Sequence, residues 1–255
     1  MHKASIEALE FVRNVQLPSI SKDEAPQDVA SFDFKKDKDQ ALVVGSDIIS
    51  FVKGVTEERR KDIVNSALLA QLVANKKVHD PTHVFTWYTT YFDALTNIGW
   101  VVQDRQFVDH IESSKNFQAH KVIIDLATTL LGPQAAALQL VKEVLGALEK
   151  MDSSSPWITL FSRESQFAKT ARFQITLAEQ TPDGQFLVSL MAFGLLAETT
   201  LTQVLFFKFN SSDVRLKHSS GKVTINTTVL DNIRDAVSQR IAKFSADYVR
   251  GLPDL

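Results

Sequence analysis

The fold is decided by residues 168–209, which read AKTARFQITLAEQTPDGQFLVSLMAFGLLAETTLTQVLFFKF. Polar and apolar residues alternate from Ala171 to Leu177, and this period of two predicts a β-strand with one buried face and one solvent-exposed face. The segment TPDG at residues 181–184 has Pro where φ is preset and Gly where φ must be positive. It predicts a reversal of the chain into an antiparallel partner strand.

The two segments that follow this turn are almost wholly apolar. Residues 186–197 (FLVSLMAFGLLA) and 201–209 (LTQVLFFKF) carry few polar side chains, which is typical of strands covered on both faces. Such a sheet needs a further layer on each side. The sequence therefore predicts an α/β (α+β) fold in which helical layers wrap both faces of a central, mainly antiparallel sheet.

The rest of the chain has the spacing expected of those helical layers. We predict one domain over residues 1–255, because 255 residues can bury a sizeable core without disulfides or metals. Within it, residues 1–38 are predicted to form an N-terminal arm and a surface loop, and residues 40–152 to be mostly helical. A sheet is predicted over residues 156–226, entered at Trp157, and a C-terminal helix over residues 228–250.

Several element predictions rest on short patterns. An apolar stripe within residues 41–52 predicts a helix that ends near Gly54. Thr56 is predicted to cap the next helix, and Asp80-Pro81 to open the one after it. Late in the chain, residues 214–225 are predicted to form two short strands around a turn.

Residues 119–151 are predicted to form a helical hairpin, because Gly132-Pro133 interrupts an apolar run. Two interpretations remain open. The hairpin packs on the sheet, or it leaves the body of the protein and lies on or enters a bilayer. Its candidate lipid-contacting residues are Leu126, Leu130, Leu131, Leu138, Val141 and Leu145.

A cluster of aromatic residues follows Asp80-Pro81 at helical spacing. Trp87, Tyr88 and Tyr91 combine apolar rings with polar tips, which suits a protein core, an apolar pocket or a membrane interface. We therefore add these three residues to the candidate lipid- or membrane-contacting set, while core packing remains the more frequent explanation of such a cluster.

No sequence motif indicates catalysis. The chain contains no GxSxG, no Gly-rich phosphate loop followed by Lys, and no HExxH. His79 and His83 have a spacing that can bind one metal ion, but Asp80-Pro81 between them is better explained as a helix start. We predict no catalytic residue, no metal site and no enzyme activity, although catalytic residues dispersed along the chain stay open.

Composition excludes several classes of function. The absence of cysteine excludes disulfides, thiolate metal sites and any thioester-linked acyl chain. A net charge of −2 gives no electrostatic reason to expect a nucleic-acid partner. We predict no cofactor, and non-covalent binding of a fatty acid or lipid remains open. The N-terminus lacks the pattern of a secretory signal, so we expect a protein that is cytoplasmic as made, with release by a non-classical route open.

Four segments carry a family resemblance: DIISF (47–51), NSALLAQ (65–71), NIGWVVQ (97–103) and FFKF (206–209). Through them the chain resembles the Erwinia virulence factor Evf-like family. That resemblance implies an α/β lipid-linked protein that helps bacteria to persist in an insect gut. The acyl chain of that family is attached to a cysteine, so this modification cannot be transferred to any residue here.

A looser resemblance links the second half of the chain to the Cyt-type cytolytic δ-endotoxins. It runs through the apolar helices of residues 122–148, WI (157–158) with RE (163–164), the alternating strand of residues 172–177, and VLFF (204–207). This resemblance implies an antiparallel sheet between two layers of helical hairpins. In that family the helices move away at a membrane and the long strands are implicated in insertion.

Three hypotheses of function follow. The first is a non-enzymatic protein that interacts with lipids, fatty acids or membranes and acts as a virulence or insecticidal toxin-like factor. The second is a soluble carrier of a small apolar ligand held between sheet and helices. The third is an enzyme with dispersed catalytic residues. The oligomeric state is left open, and assembly on membranes is compatible with the first hypothesis.

Overall fold

A computed structural model describes residues 3–19, 32–103, 105–110, 116–181, 185–198, 208–210 and 214–253. The helices are α1 (Lys3–Asn14), α2 (Glu57–Lys77), α3 (Val84–Asn97), α4 (Ala119–Leu131), α5 (Ala136–Lys150), α6 (Pro156–Ser165) and α7 (Thr227–Tyr248). The strands are β1 (Gln40–Val44), β2 (Asp47–Phe51), β3 (Trp100–Val102), β4 (Val108–Asp109), β5 (Asn116–Gln118), β6 (Gln166–Phe167), β7 (Thr170–Gln180), β8 (Phe186–Ala197), β9 (Lys208–Asn210), β10 (Val214–Ile225) and β11 (Val249–Gly251).

The main sheet has the strand order β11-β1-β2-β7-β8-β10-β3, with β4 also paired to β10 and β6 to β7. The β2–β7 pair is parallel and the other pairs are antiparallel. The predicted fold class, a mainly antiparallel sheet covered by helices on both faces, is therefore confirmed.

The β7–β8 ladder forms the centre of the sheet. Its register runs from the Thr170–Leu196 pair to the Gln180–Phe186 pair, as an antiparallel reversal after residue 180 requires. Residues 182–184 of the predicted turn and 201–207 of the predicted third strand lie outside the described residues. Residues 208–210 form β9, which pairs with β5 in a separate two-stranded sheet.

The prediction that β7 has one solvent-exposed face is wrong. Its polar residues Arg172, Gln174 and Thr176 are no more than 5% exposed. Each finds a polar or aromatic partner on α2, α3 or a neighbouring strand, and buried polar groups are tolerated where such partners exist. The alternation therefore marks an apolar face and a hydrogen-bonded face, both buried.

The predicted helix over residues 41–52 is also wrong, because this segment forms the β1–β2 hairpin. It is rich in β-branched residues, which favour strands over helices. Gly45 adopts a φ of +56° in the two-residue connection between Val44 and Asp47. A tight hairpin needs such a positive φ, which Gly adopts without steric cost.

Three further predicted boundaries are corrected. Trp157 lies in α6 rather than in the sheet, since Pro156 occupies the first turn of that helix. Residues 214–225 form one continuous strand, because residues 214–223 pair with β8 without interruption and residues 223–225 pair with β3. Asp80-Pro81 precedes α3 without capping it, because Asp80 Oδ1 accepts hydrogen bonds from the backbone N–H and Oγ1 of Thr82 in a local turn.

Other element predictions agree with the structure. Thr56 caps α2, its Oγ1 accepting from the Arg59 N–H. Residues 119–151 form the α4–α5 hairpin, and α7 closely matches the predicted C-terminal helix. The strand β11, which follows α7 and pairs with β1, was not predicted.

The two faces of the sheet bury separate cores. Apolar residues of α1, α2, α3 and α7 pack on one face, where they meet Ile49, Phe51 and Ala192. Apolar residues of α4, α5 and α6 pack on the other face, against Ile48 and Met191. The sheet is thus the middle layer of three.

Candidate functional site

The α4–α5 hairpin presents an apolar face to the sheet. Leu138, Val141 and Leu145 of α5 are at most 3% exposed and belong to the core on this side. The other three candidate residues, Leu126, Leu130 and Leu131 of α4, are half-buried and pack against the same core.

The opposite face of the hairpin carries charges. Asp125 of α4 and Lys142 and Glu143 of α5 are exposed. The hairpin is therefore amphipathic, with its apolar side on the sheet and its polar side in water.

The hairpin packs on the sheet through apolar side chains. α4 lies against β10, and α5 lies against β2 and β7. The polar residues Thr128 and Thr129 of α4 donate to the carbonyls of Ile124 and Asp125 in their own helix. Among the described residues, the hairpin thus contributes apolar side chains to the core on this side. Burial of apolar surface, unlike a hydrogen bond, does not depend on direction.

The α2–α3 layer on the other face is attached differently, through buried hydrogen bonds. Gln71 of α2 accepts from the backbone N–H of Ser46 (2.9 Å) and donates through Nε2 to the carbonyl of Val44 (2.8 Å). Ser46 Oγ lies 3.0 Å from Gln174 Oε1 and 3.2 Å from Gln71 Oε1. α2 is therefore hydrogen-bonded to the β1–β2 turn and, through Ser46, to β7.

Tyr88 makes the equivalent connection from α3. Its hydroxyl oxygen lies 2.8 Å from the carbonyl oxygens of both Phe173 and Phe193, and it accepts from Gln174 Nε2 at 3.0 Å. Burial raises the pKa of Tyr88 well above its ordinary value. Burial, and next the Asp47 carboxyl, raise the pKa of Tyr91 in the same direction.

Trp87 belongs to the same buried layer. Its Nε1 donates to Asn75 Oδ1 at 2.7 Å, and Asn75 also accepts from Arg172 Nη2 at 3.1 Å. The Arg172 guanidinium lies 4.5 Å from the Trp87 ring centroid. Burial lowers the pKa of Arg172 to about 10, which still leaves it charged at neutral pH.

Asp47 of β2 is a buried carboxyl in the sheet beneath this layer. Its side chain is fully buried, and Oδ2 accepts from Thr176 Oγ1 at 2.7 Å. Oδ1 is buried without a hydrogen-bond partner among the described residues. Burial raises the pKa of Asp47 to about 7 against the opposing effect of the Thr176 hydrogen bonds.

The two sets of candidate residues thus lie on opposite faces of the sheet. Trp87, Tyr88 and Tyr91 are each 1% exposed and belong to the α2–α3 layer, and the six hairpin residues belong to the other core. Sequence analysis missed Gln71, Asn75 and Gln174, which join that layer to the sheet, and Asp47, which links β2 to β7 within the sheet. A usable signal was present: Gln71 and Asn75 interrupt an otherwise apolar helical run.

The other sequence features show no further site. His79 and His83 are exposed, and His83 Nε2 lies 3.8 Å from Asp80 Oδ2. Within the described ranges no group of three or more His, Asp or Glu side chains is arranged to hold a metal ion. Among the described helices none combines the length and apolar character needed to cross a membrane.

Comparison with known proteins gives resemblance in shape alone. No family model and no curated protein sequence matches the chain. The Evf virulence factor matches with a TM-score of 0.40 at 10% identity, over 78% of this chain and 84% of its own. A δ-endotoxin matches with a TM-score of 0.33 at 12% identity, over 85% and 96%.

A third structure is the activated Cyt2Ba monomer from Bacillus thuringiensis subsp. israelensis. It has a TM-score of 0.35 at 15% identity, over 70% of this chain and 97% of its own. The comparison with solved structures thus finds the same two families that the sequence resembles. The resemblance is confirmed as a loose one, and scores this low support no statement about what the protein does.

Proposed function

We propose that this protein is a non-enzymatic, toxin-like or virulence factor that binds lipid bilayers through its α4–α5 hairpin. The observation that carries the proposal is the unequal attachment of two helix pairs, the α4–α5 hairpin and the α2–α3 pair. Apolar contacts place the hairpin on the sheet, whereas buried hydrogen bonds from Gln71 and Tyr88 hold the α2–α3 layer. The toxin-like part of the proposal comes from the sequence resemblance.

The α4–α5 hairpin and the α2–α3 pair differ in the free energy needed to move them off the sheet, and this difference decides which pair moves. Burial of apolar surface contributes about 25 cal/mol per Å² whether the partner is a protein core or lipid. The hairpin therefore keeps most of this term when it exchanges the sheet for a bilayer. Moving α2 and α3 would instead leave buried polar groups without partners, at about 1–3 kcal/mol each.

The length of the helices determines how the hairpin meets the membrane. α4 has 13 residues and α5 has 15, which gives lengths of about 20–23 Å at 1.5 Å per residue. The hydrocarbon core of a bilayer is about 30 Å thick. The hairpin accordingly lies in the interface, with its leucines in lipid and Lys142 and Glu143 towards water.

Site-specific fluorescence quenching tests the proposal, and the chain's lack of cysteine makes labelling specific. Leu130→Cys places a bimane probe near the hairpin tip, and Lys77→Cys places one at the end of α2. Liposomes of phosphatidylcholine and phosphatidylglycerol carrying nitroxide lipids should bind both labelled proteins in flotation and quench the probe at residue 130 alone.

Dye release from the same liposomes measures whether binding also perturbs the bilayer. Absence of flotation with these liposomes would refute the proposal. Quenching that is equal at residues 77 and 130 would refute the role of the hairpin while leaving membrane binding intact.

A further inference from the structure

A cavity of about 440 Å³ opens on the α3 side of the sheet, away from the hairpin. Its wall is aromatic: Phe85, Tyr88 and Phe92 come from one face of α3, and Phe107 comes from the segment between β3 and β4. Phe107 lies 5.1 Å from Phe85 and 4.8 Å from Tyr88, measured between ring centroids. The volume and the aromatic lining are those of a small-molecule site.

Two cations also line this cavity, and they differ in how far they are already paired. Arg105 donates through Nη1 to Asp93 (2.8 Å), through Nη2 to Thr96 Oγ1 and through Nε to the Val102 carbonyl (3.4 Å). The bonds to Asp93 and Thr96 tie the segment containing Arg105 to α3. Arg105 is therefore a structural element of the wall.

Lys217 has more of its hydrogen-bonding capacity available. Its ammonium group lies 3.3 Å from Asp109 Oδ1 and 5.8 Å from the centroid of the Phe85 ring. An ammonium carries three N–H donors, so the Asp109 contact accounts for one of them. The Asp109 side chain is 62% exposed, and water screens its contact with Lys217.

We propose that this cavity binds an amphipathic carboxylate, with the carboxylate on Lys217 and the apolar body against Phe85, Phe92 and Phe107. The chemistry follows from the lining. Aromatic rings supply apolar contact area, and the ammonium supplies a charge-assisted hydrogen bond. The Tyr88 hydroxyl takes no part, because it bonds to the carbonyls of the sheet. The site is separate from the hairpin, so it goes beyond the proposed membrane function.

Two sources share this chemistry, an aromatic acid and a fatty acid, and calorimetry with four ligands distinguishes them. The ligands are 2-naphthoate, laurate and their neutral counterparts 2-naphthalenemethanol and dodecanol. Binding of either carboxylate supports the proposal, and the better ligand identifies the source. Absence of heat with both carboxylates overturns it, whatever the liposome experiments show.

Substitutions at Lys217 and Asp109 test where the carboxylate of the ligand binds. Lys217→Met keeps the apolar stem and should weaken carboxylate binding about tenfold, the value of one charge-assisted hydrogen bond, with little effect on the alcohols. Asp109→Asn removes the competing carboxylate and should strengthen carboxylate binding about two- to fivefold. A gain of affinity cannot arise from misfolding.

Lys222→Met is the matched control. Lys222 lies on the same strand as Lys217, is exposed and lies outside this cavity. We expect its affinity for both carboxylates to equal that of the unmodified protein. Equal loss of affinity in the variants at Lys217 and Lys222, or no change at Lys217 and Asp109, would overturn the proposal.

Discussion

Asp47→Asn should abolish a pH dependence of stability that originates in a buried carboxyl of β2. Asp47 is fully buried, its Oδ2 accepts from Thr176 Oγ1, and its Oδ1 has no partner among the described residues. Burial raises the pKa of this carboxyl from 3.8 to about 7. Asn has the same shape and cannot ionise, so the substitution isolates the effect of the proton.

The sign follows from counting protons in the folded and unfolded states. The folded protein holds the Asp47 proton up to about pH 7, whereas the unfolded chain releases it near pH 3.8. The folded state therefore binds more protons between these values, and the free energy of unfolding decreases as the pH rises. At about 1.4 kcal/mol per pH unit the whole effect is about 4 kcal/mol, of which about 2–3 kcal/mol falls between pH 5 and pH 8.

Urea denaturation followed by circular dichroism at pH 5 and pH 8 measures this effect. The Asn amide adds an unpaired buried donor that costs about 1–3 kcal/mol, but this cost is the same at both pH values. From pH 5 to pH 8 the variant should gain about 2–3 kcal/mol relative to the unmodified protein. Asp125→Asn, which removes an exposed carboxylate of α4, is the control. Parallel pH profiles for Asp47→Asn and the unmodified protein would refute the reasoning.

Three further outcomes are expected. Tyr88→Phe removes the hydroxyl that bonds to the sheet carbonyls and to Gln174, and should lower the free energy of urea unfolding by about 1–3 kcal/mol; a loss below about 0.5 kcal/mol would contradict this. Gly194→Ala places a Cβ 2.9 Å from Phe85 Cε1 and 3.0 Å from Val84 Cγ1, and should cost about 1–3 kcal/mol in the same assay, against no cost if α3 moves freely. Burial, and then His110, lower the pKa of His218 below 6.5, so stability should fall as the pH drops through 6.5 and His218→Gln should reduce that fall; an unchanged pH profile would exclude this contribution.

The central strands could be predicted from sequence because their signal is local. The alternation in residues 171–177 and the apolar run of residues 186–197 each fix a strand, and the intervening TPDG segment fixes their antiparallel pairing. The burial of the polar residues of β7 could not be predicted in the same way. Arg172 is buried because Asn75 lies beside it, and that pairing joins residues 97 positions apart.

The β1–β2 hairpin was missed because short apolar runs fit both periods. Residues 41–52 place apolar side chains at helical spacing, yet they also alternate between the two cores once folded: Leu42 and Val44 pack on one face, and Ala41 and Val43 on the other. A strand buried on both faces has no polar side to reveal its period. The β-branched content and Gly45 carried the correct signal.

The candidate site was only partly accessible to sequence reasoning. Apolar spacing correctly placed a helical hairpin over residues 119–151, but it treated Trp87, Tyr88 and Tyr91 as equivalent to the hairpin leucines. The aromatic residues are attached differently because Trp87 and Tyr88 hydrogen-bond to polar groups of α2, β7 and β8. The cavity around Lys217 was likewise hidden, because it joins residues from α3, β10 and the segment before β4.

Selective exposure of one face of the sheet is the most direct test of the account. Met191 and Ala192 are adjacent on β8, nearly fully buried, and face opposite layers. β8 lies between β7, which contacts α5, and β10, which contacts α4. Met191→Cys therefore reports on the hairpin, and Ala192→Cys reports on the α2–α3 layer.

The measurement is the rate of maleimide-polyethylene glycol labelling of each thiol, with and without liposomes. Because the chain has no other cysteine, each rate belongs to one position. If the hairpin leaves the sheet at a bilayer, liposomes should accelerate labelling at residue 191 and leave residue 192 protected. Equal acceleration at both positions, or none at residue 191 under conditions where the protein floats with liposomes, would contradict the account.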